Sequence, residues 1–385
     1  MFLVSSVKNP YSQVISMIGS SPALVNAVLA LAACHCAHSA TGFPLYTFRR
    51  GRVQPLAPQK QILFPTTSNH TSGVSQSDLL NQYLILKHNA LRHLSEALAD
   101  SDDRYQSGTL ATILLLALLE LLESGAGFWN VHIEGAKTLL EDGAKYGIDS
   151  HAPLIKAMID ELILSRLECD AGGEVDGIAG VGCPTVIIMA IDLVSSQRRA
   201  SIEAVLENSD LPIQSLYSTL RQIQTFDIHS WATSVVACPS LKITSISPKD
   251  LAHVGAIWKL AAEIYVSRLL YNLVEDADLL LPLVDVLRYE YSALGAEHCL
   301  VNGLAWPTFI AGASSSTSEQ RVWALEVLER IWEGTMCANV KNAPLVLERL
   351  WKKQDIAREK SGCNDPGAWD WITELSSLED RWIFL

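Results

Sequence analysis

Positive charge is scarce in this sequence. Its 385 residues hold 29 Lys and Arg against 42 Asp and Glu, for a net charge of −13. An acidic chain repels a phosphate backbone unless Lys and Arg gather on one face. Arg49, Arg50 and Arg52 form one short basic cluster and Lys352 with Lys353 another. Both are too short to build such a face and read as solvated surface. Direct DNA binding by this chain alone is therefore not expected. Charge of either sign is low, at 18%, whereas a disordered chain is charge-rich and poor in large apolar residues. Long apolar runs are lacking too. Residues 22–36 and 110–122 fall short of the ~20 apolar residues needed to cross a bilayer. Both are expected to be buried core helices, with no membrane contact. The cysteines, Cys34, Cys36, Cys169, Cys183, Cys238, Cys299, Cys337 and Cys363, are scattered. A secreted disulfide scaffold is short and cysteine-dense, so these read as reduced thiols.

Catalytic signatures are missing as well. There is no Gly-x-Ser-x-Gly nucleophile turn. There is no Gly-rich phosphate loop and no His-Glu-x-x-His. Asp102 and Asp103 lack companion acidic ligands, which leaves an all-helical enzyme as the least favoured reading. Cys34, His35, Cys36 and His38 bring soft ligands close in sequence, but residues 34 and 36 point to different sides of a helix. A closed zinc site also needs a second ligand pair. Small apolar packing with partly exposed histidines is the reading here. His132 lacks the oriented partner a general base requires and reads as a structural, hydrogen-bonded histidine. No catalytic, cofactor-binding or metal-ligating residue is assigned, no cofactor is expected, and the chain is not expected to be an enzyme.

What the sequence has in quantity is apolar surface with a helical period. Hydrophobic residues make up 49% of the chain, enough for a large core. Ser21-Pro22 is a helix start, with the serine as cap and the proline in the first turn; that helix is predicted to reach about residue 38. Residues 41–76 carry Pro44, Pro55, Pro58 and Pro65 and read as a loop insertion. Leu80, Leu84, Leu91, Leu94 and Leu98 recur at helical spacing, with Lys87 intruding on the same stripe. Residues 110–122 are apolar on all sides and predict a central helix. Trp129, Ile133, Ala136 and Leu140 mark one face of another, stopping near Gly143. A further helix is predicted over 154–168, then a Gly-rich loop over 170–182. Residues 184–194 are ambiguous, since Val186, Ile187 and Ile188 favour strand while Pro184 suits a helix start; helix is preferred. Helices over 251–273, 322–332 and 345–357 follow, the second entered through a Thr317-x-x-Gln320 capping box. The expectation is an all-α, irregular multi-helix bundle of about twelve helices, forming one domain over 1–385.

Two segments stand out as candidate sites. Arg198-Arg199-Ala200-Ser201 resembles a target for a kinase that prefers basic residues; the plainer reading makes Ser201 the cap of a helix. Residues 369–385 alternate acidic and bulky apolar residues, as activation segments do. In that stretch Trp371, Leu375, Leu378 and Trp382 form one helical stripe, which could bind a partner or dock on the protein's own core.

In order along the chain, several stretches match a known family. They are Asn9-Pro10-Tyr11, Ser20-Ser21-Pro22-Ala23-Leu24, Ala27-Val28-Leu29-Ala30-Leu31-Ala32-Ala33, and Ala90-Leu91-Arg92-His93-Leu94. Leu110-Ala111-Thr112-Ile113-Leu114-Leu115-Leu116 leads on to Trp129-x-x-His132-x-x-Gly135-Ala136. Trp258-Lys259-Leu260-Ala261-Ala262-Glu263-Ile264-Tyr265, Phe309-Ile310-Ala311-Gly312, Ile331-Trp332 and Trp351 follow. Together they resemble the regulatory domain of fungal binuclear zinc-cluster transcription factors. The resemblance implies a helical bundle, a nuclear location and a role in regulating transcription, often of metabolic or secondary-metabolite genes. The six-cysteine zinc cluster that such factors usually carry has no match here, so the expected mode is indirect. The expected partners are a DNA-bound factor, a coactivator or a second copy in a homo-dimer. The alternative expectation is a small-molecule sensor without DNA contact, its effector unknown, with Trp129, Trp258 and Trp306 as candidate pocket walls.

Overall fold

Ser21 begins the first long helix of the computed structural model as its chemistry dictates. Its hydroxyl accepts the Leu24 N–H at 3.3 Å and Pro22 occupies the first turn. Helix α1 (Pro22–Thr41) then ends on Gly42, whose φ of 68° is the left-handed conformation glycine adopts without strain. The structure describes residues 14, 17–49, 52–55, 76–124, 129–145, 166–167, 178–179, 182–204, 213–238, 246–279, 282–295, 298–361 and 369–376. Among them are thirteen α-helices and two short antiparallel strand pairs. The all-α expectation holds.

After α1 comes a hairpin, β1 (Tyr46–Arg49) with β2 (Arg52–Pro55), inside the stretch read as loop. Helices α2 (Gln76–Ala99), α3 (Ser107–Glu123) and α4 (Trp129–Lys145) complete the first half. The core face of α2 is Tyr83, Ala90 and Leu94, whereas Leu84 and Leu91 are exposed; the predicted leucine stripe lies partly outside. Helix α4 runs through Gly143 to Lys145, past the predicted stop. Most of 154–168 lies outside the described residues, but Arg166 and Leu167 form strand β3 (Arg166–Leu167), paired with β4 (Ile178–Ala179). Strand therefore stands where the end of the predicted helix was expected, and the predicted Gly-rich loop contains a strand.

The ambiguous segment is helical: α5 spans Thr185–Ala204. It is followed by α6 (Ile213–Thr225), α7 (Ile228–Ala237), α8 (Pro248–Val274), α9 (Leu283–Leu294), α10 (Ala305–Ala313), α11 (Ser318–Thr335), α12 (Ala338–Ser361) and α13 (Trp371–Ser376). Helix α8 is buried on most sides and packs against α5, α6, α7, α9 and α10. The Thr317–Gln320 capping box closes both ways at the start of α11. Gly312 lets α12 approach α10: a Cβ there would meet Leu347 Cδ1 at 2.8 Å, and Trp351 Nε1 donates to the Gly312 carbonyl at 2.9 Å.

Buried apolar side chains form two clusters, one drawn from Val14 to Ala136 and one from Ile178 to Ile372. The lobes meet where α12 begins. His38 donates from Nδ1 to the Met336 carbonyl at 2.9 Å and accepts the Leu45 N–H on Nε2 at 3.1 Å. These two bonds fix the neutral ring with its proton on Nδ1. Asn342 donates to the carbonyls of Tyr46 (3.3 Å) and Ser124 (3.1 Å). Beside them, Lys87 pairs with the buried Glu123. Burial, then the charge of Glu123 and a hydrogen bond to it, push the Tyr46 phenol up to about 12. The Tyr83 hydroxyl is buried and falls short of good hydrogen-bond geometry; burial and the same carboxylate raise it further.

Two tests follow from this junction. Burial holds the His38 imidazole below its ordinary 6.5. The unfolded chain takes up that proton below about pH 6.5 and the folded chain resists it, so stability is full above that pH and falls on acidification. His38→Leu leaves the Leu45 N–H and Met336 carbonyl unsatisfied and should cost roughly 2–5 kcal/mol. Urea midpoints at pH 7.5 and 5.5 should then show a shallower acid loss in the variant than in the parent. Lys87→Met should destabilise by about 3 kcal/mol by stranding Glu123, and Lys87→Met with Glu123→Leu should recover more than half of it; the same denaturation measurement reads both.

Candidate functional site

Trp258 and Tyr265 are seven residues apart on α8 and so share one face. Trp306, from α10, stacks on Trp258 with centroids 5.4 Å apart and planes 6° from parallel, and its edge meets Tyr265 at 6.1 Å. Trp371, from α13, continues the chain to Tyr265 at 6.4 Å. Such offset and edge contacts suit the ring quadrupoles. Among the described residues the buried indole N–H groups of Trp258 and Trp371 have no hydrogen-bond acceptor, and Ser195 Oγ lies 3.4 Å from the Tyr265 hydroxyl. Trp306 is only partly buried. What this arrangement offers is stacking surface and idle donors, the chemistry of recognition.

Helix α13 closes one end of the chain. Asp370 caps it, accepting the Ile372 N–H on Oδ1 at 2.9 Å. Arg268 reaches from α8 to donate to the Trp369 carbonyl at 2.6 Å and lies 5.7 Å from the Tyr271 ring centroid. Lys353 of α12 pairs with Glu374, so this lysine is engaged rather than free surface charge. Trp371 is 1% exposed and Ile372 2%, while Leu375 packs partly buried against the same core. The segment therefore docks on its own lobe through Trp371. Leu378 and Trp382 lie outside the described residues. Elsewhere on α8, burial pushes the Glu263 carboxyl up, offset in part by Lys259.

The other sequence candidates are dispersed. Ser201 lies within α5, three residues before its end, so it is not a helix cap; its side chain lies outside the described residues. Trp129 sits against the other core, away from Trp258 and Trp306. His132 Nε2 is 3.6 Å from Glu120 Oε1, a structural contact between α4 and α3. Cys34 and His38 are buried while His35 and Cys36 are exposed, so the pairs face opposite ways and the two histidines do not share the partial exposure expected of them. Asp102 and Asp103 lie in an exposed turn whose N–H groups cap onto Asp100. Among the described residues no three His, Cys, Asp or Glu side chains could hold a metal ion. Sequence reasoning missed Arg268 and Lys353. A lone arginine in the apolar run of α8 was the available signal, because a buried charge needs a partner.

The family model of the fungal specific transcription factor domain matches residues 1–145 and 165–385. Among curated proteins, the chain is similar to the acriflavine sensitivity control protein acr-2 of Neurospora crassa. The two are 24% identical over an alignment covering 98% of this chain and 63% of that protein. The chain thus spans less than two thirds of that relative's length. No solved structure matches.

The clamp on α13 gives a direct expectation. Trp371→Ala should destabilise the C-terminal lobe by about 3–5 kcal/mol, while Trp371→Phe should cost less. Limited proteolysis followed by mass spectrometry should show faster cleavage beside residue 371 in the alanine variant; an unchanged cleavage rate would argue against the clamp.

Proposed function

The chain belongs to the family of the fungal specific transcription factor domain, and we propose that it regulates a metabolic or secondary-metabolite gene set in the nucleus through protein partners. The family is one of transcriptional regulators, not of enzymes. The observation that carries the reading is the reach of the match, which takes in both lobes, their junction and α13. A chain of net charge −13 is poorly suited to a phosphate backbone, which supports contact with DNA-bound factors and coactivators. In residues 369–385 the partner-facing groups are then ones other than the buried Trp371 and Ile372. Phosphate added at Ser201 would place negative charge in the last turn of α5, where the helix dipole disfavours it. The name of the relative from Neurospora crassa ties that protein to control of acriflavine sensitivity. This supports target genes that deal with small toxic molecules.

A second reading, small-molecule sensing, is favoured by the Trp258–Trp306 stack and its idle indole donors. Thermal shift with planar aromatic compounds, acriflavine first, tests it. Stabilisation that Trp306→Ala abolishes supports the sensor, and no shift with any compound counts against it. The regulatory reading is tested by comparing transcriptomes of a deletion strain and its parent. A coherent gene set should change together; unchanged transcriptomes under several growth conditions would sink the proposal.

A further inference from the structure

Charge is unevenly distributed along this chain. The first acidic residue is Asp78, so the segment before it holds five basic residues, Lys8, Arg49, Arg50, Arg52 and Lys60, and no Asp or Glu. With +5 there, a chain of net charge −13 carries −18 on the rest. Helix α1, in the same segment, has no charged residue; it runs to Thr41 rather than stopping short, and is long and apolar enough by length and composition to cross a membrane. Three of the five basic residues are gathered instead by the hairpin. Arg49 and Arg52 are register partners in the last rung of β1 and β2, and Arg50-Gly51 joins them in sequence. Like charges directly opposite each other on a strand pair cost stability, and this segment has no acidic residue of its own to offset the cost. The other end of the hairpin is anchored. Asn342 of α12 donates to the Tyr46 carbonyl at 3.3 Å, and β1 lies against α12 while β2 packs chiefly on β1. The three steps from Tyr46 to Arg49 put the charged rung roughly 10 Å along the strand from that anchor.

Arginine presents a planar fork that bonds two oxygens of a phosphate or carboxylate at once. Of the polyanions such a rung could meet, duplex DNA is favoured by charge density. It carries one phosphate charge per ~1.7 Å of axis, and each arginine that neutralises a phosphate releases condensed counterions. An acidic peptide is less densely charged and releases fewer. A two-stranded ribbon is also narrow enough for the major groove. The same phosphates repel the acidic remainder, so the chain meets DNA hairpin first. At physiological salt that repulsion fades over about 8 Å, comparable with the reach of the hairpin. We propose that the Arg49–Arg52 end of the hairpin contacts the phosphate backbone of duplex DNA, without base specificity, when a DNA-bound partner holds the chain nearby. The choice of DNA rests on the regulatory reading; the placement of charge does not. Two or three phosphate contacts are too few to hold DNA alone, and tethering by the partner supplies the effective concentration they lack. The repelled acidic remainder then fixes which way the chain faces.

Anisotropy of a fluescent-labelled duplex of mixed sequence, titrated with the full chain at several low KCl concentrations, tests this. The parent should bind, with log affinity falling against log salt at a slope of about −2 to −3, for two to three phosphates. Arg49→Ser combined with Arg52→Ser should cut the magnitude of that slope by about 1.8. Circular dichroism should be unchanged, since the variant removes a like-charge pair and no strand hydrogen bond. Lys352→Ser takes an exposed charge from the other short basic cluster, on α12, and should leave the slope as it is. A parent that binds no DNA at any of these salt concentrations overturns the proposal, as does a slope indifferent to the arginine variant or one that Lys352→Ser lowers as much. Poly-glutamate is the second arm. Binding to it as tight as to the duplex, and lost in the same arginine variant, would assign the rung to an acidic protein and overturn the DNA contact while the regulatory reading stands.

Discussion

His38 sits where two apolar cores meet, with an acceptor for its proton on one side and a donor to its lone pair on the other. The Leu45 N–H is buried within His38's own lobe, while the Met336 carbonyl comes from the other, so one ring ties both to a single arrangement. Asn342 does the same a few residues on, bridging two N-terminal carbonyls from α12. The apolar clusters alone would leave two bodies in contact. The polar junction, with Lys87 and Glu123 beside it, sets one arrangement, because a displaced lobe would strand buried donors, acceptors and a carboxylate.

Within the C-terminal lobe the same logic recurs around α8. Its aromatic face is covered by Trp306 and Trp371, and its arginine donates to the Trp369 carbonyl. The contact that fixes α13 is therefore part apolar and part polar. Burying the indole supplies the driving force, and Arg268, Lys353 and Asp370 set the register. A segment held this way is displaced only by something that replaces both kinds of contact.

Much of the fold was legible because apolar period and capping chemistry are local signals. Ser21-Pro22 and Thr317-x-x-Gln320 began helices where they stood in the sequence. The failures were non-local. Lys87 looked like a flaw in a leucine stripe until α3 brought Glu123 to it. Leu84 and Leu91 kept the helical rhythm yet face outward, since period alone cannot say which of two apolar stripes is covered. His38 was read with Cys34 and Cys36 as neighbours in sequence, whereas its working partner is 298 residues away. Of the aromatic site, Trp258, Trp306 and Trp371 were each singled out beforehand, but nothing in spacing could have joined them through Tyr265.

That separation also bears on synthesis. A ribosome adding about 5–20 residues per second makes Met336 some 15–60 s after His38. Arg268 likewise waits for a carbonyl 101 residues downstream. During that interval the nascent N-terminal half presents an open clasp, unpaired backbone groups and the uncharged surface of α1. This is the profile that chaperones recognise, and a premature stop before Met336 would leave it permanently on display. Messages truncated there should yield protein that is cleared rather than a functional half.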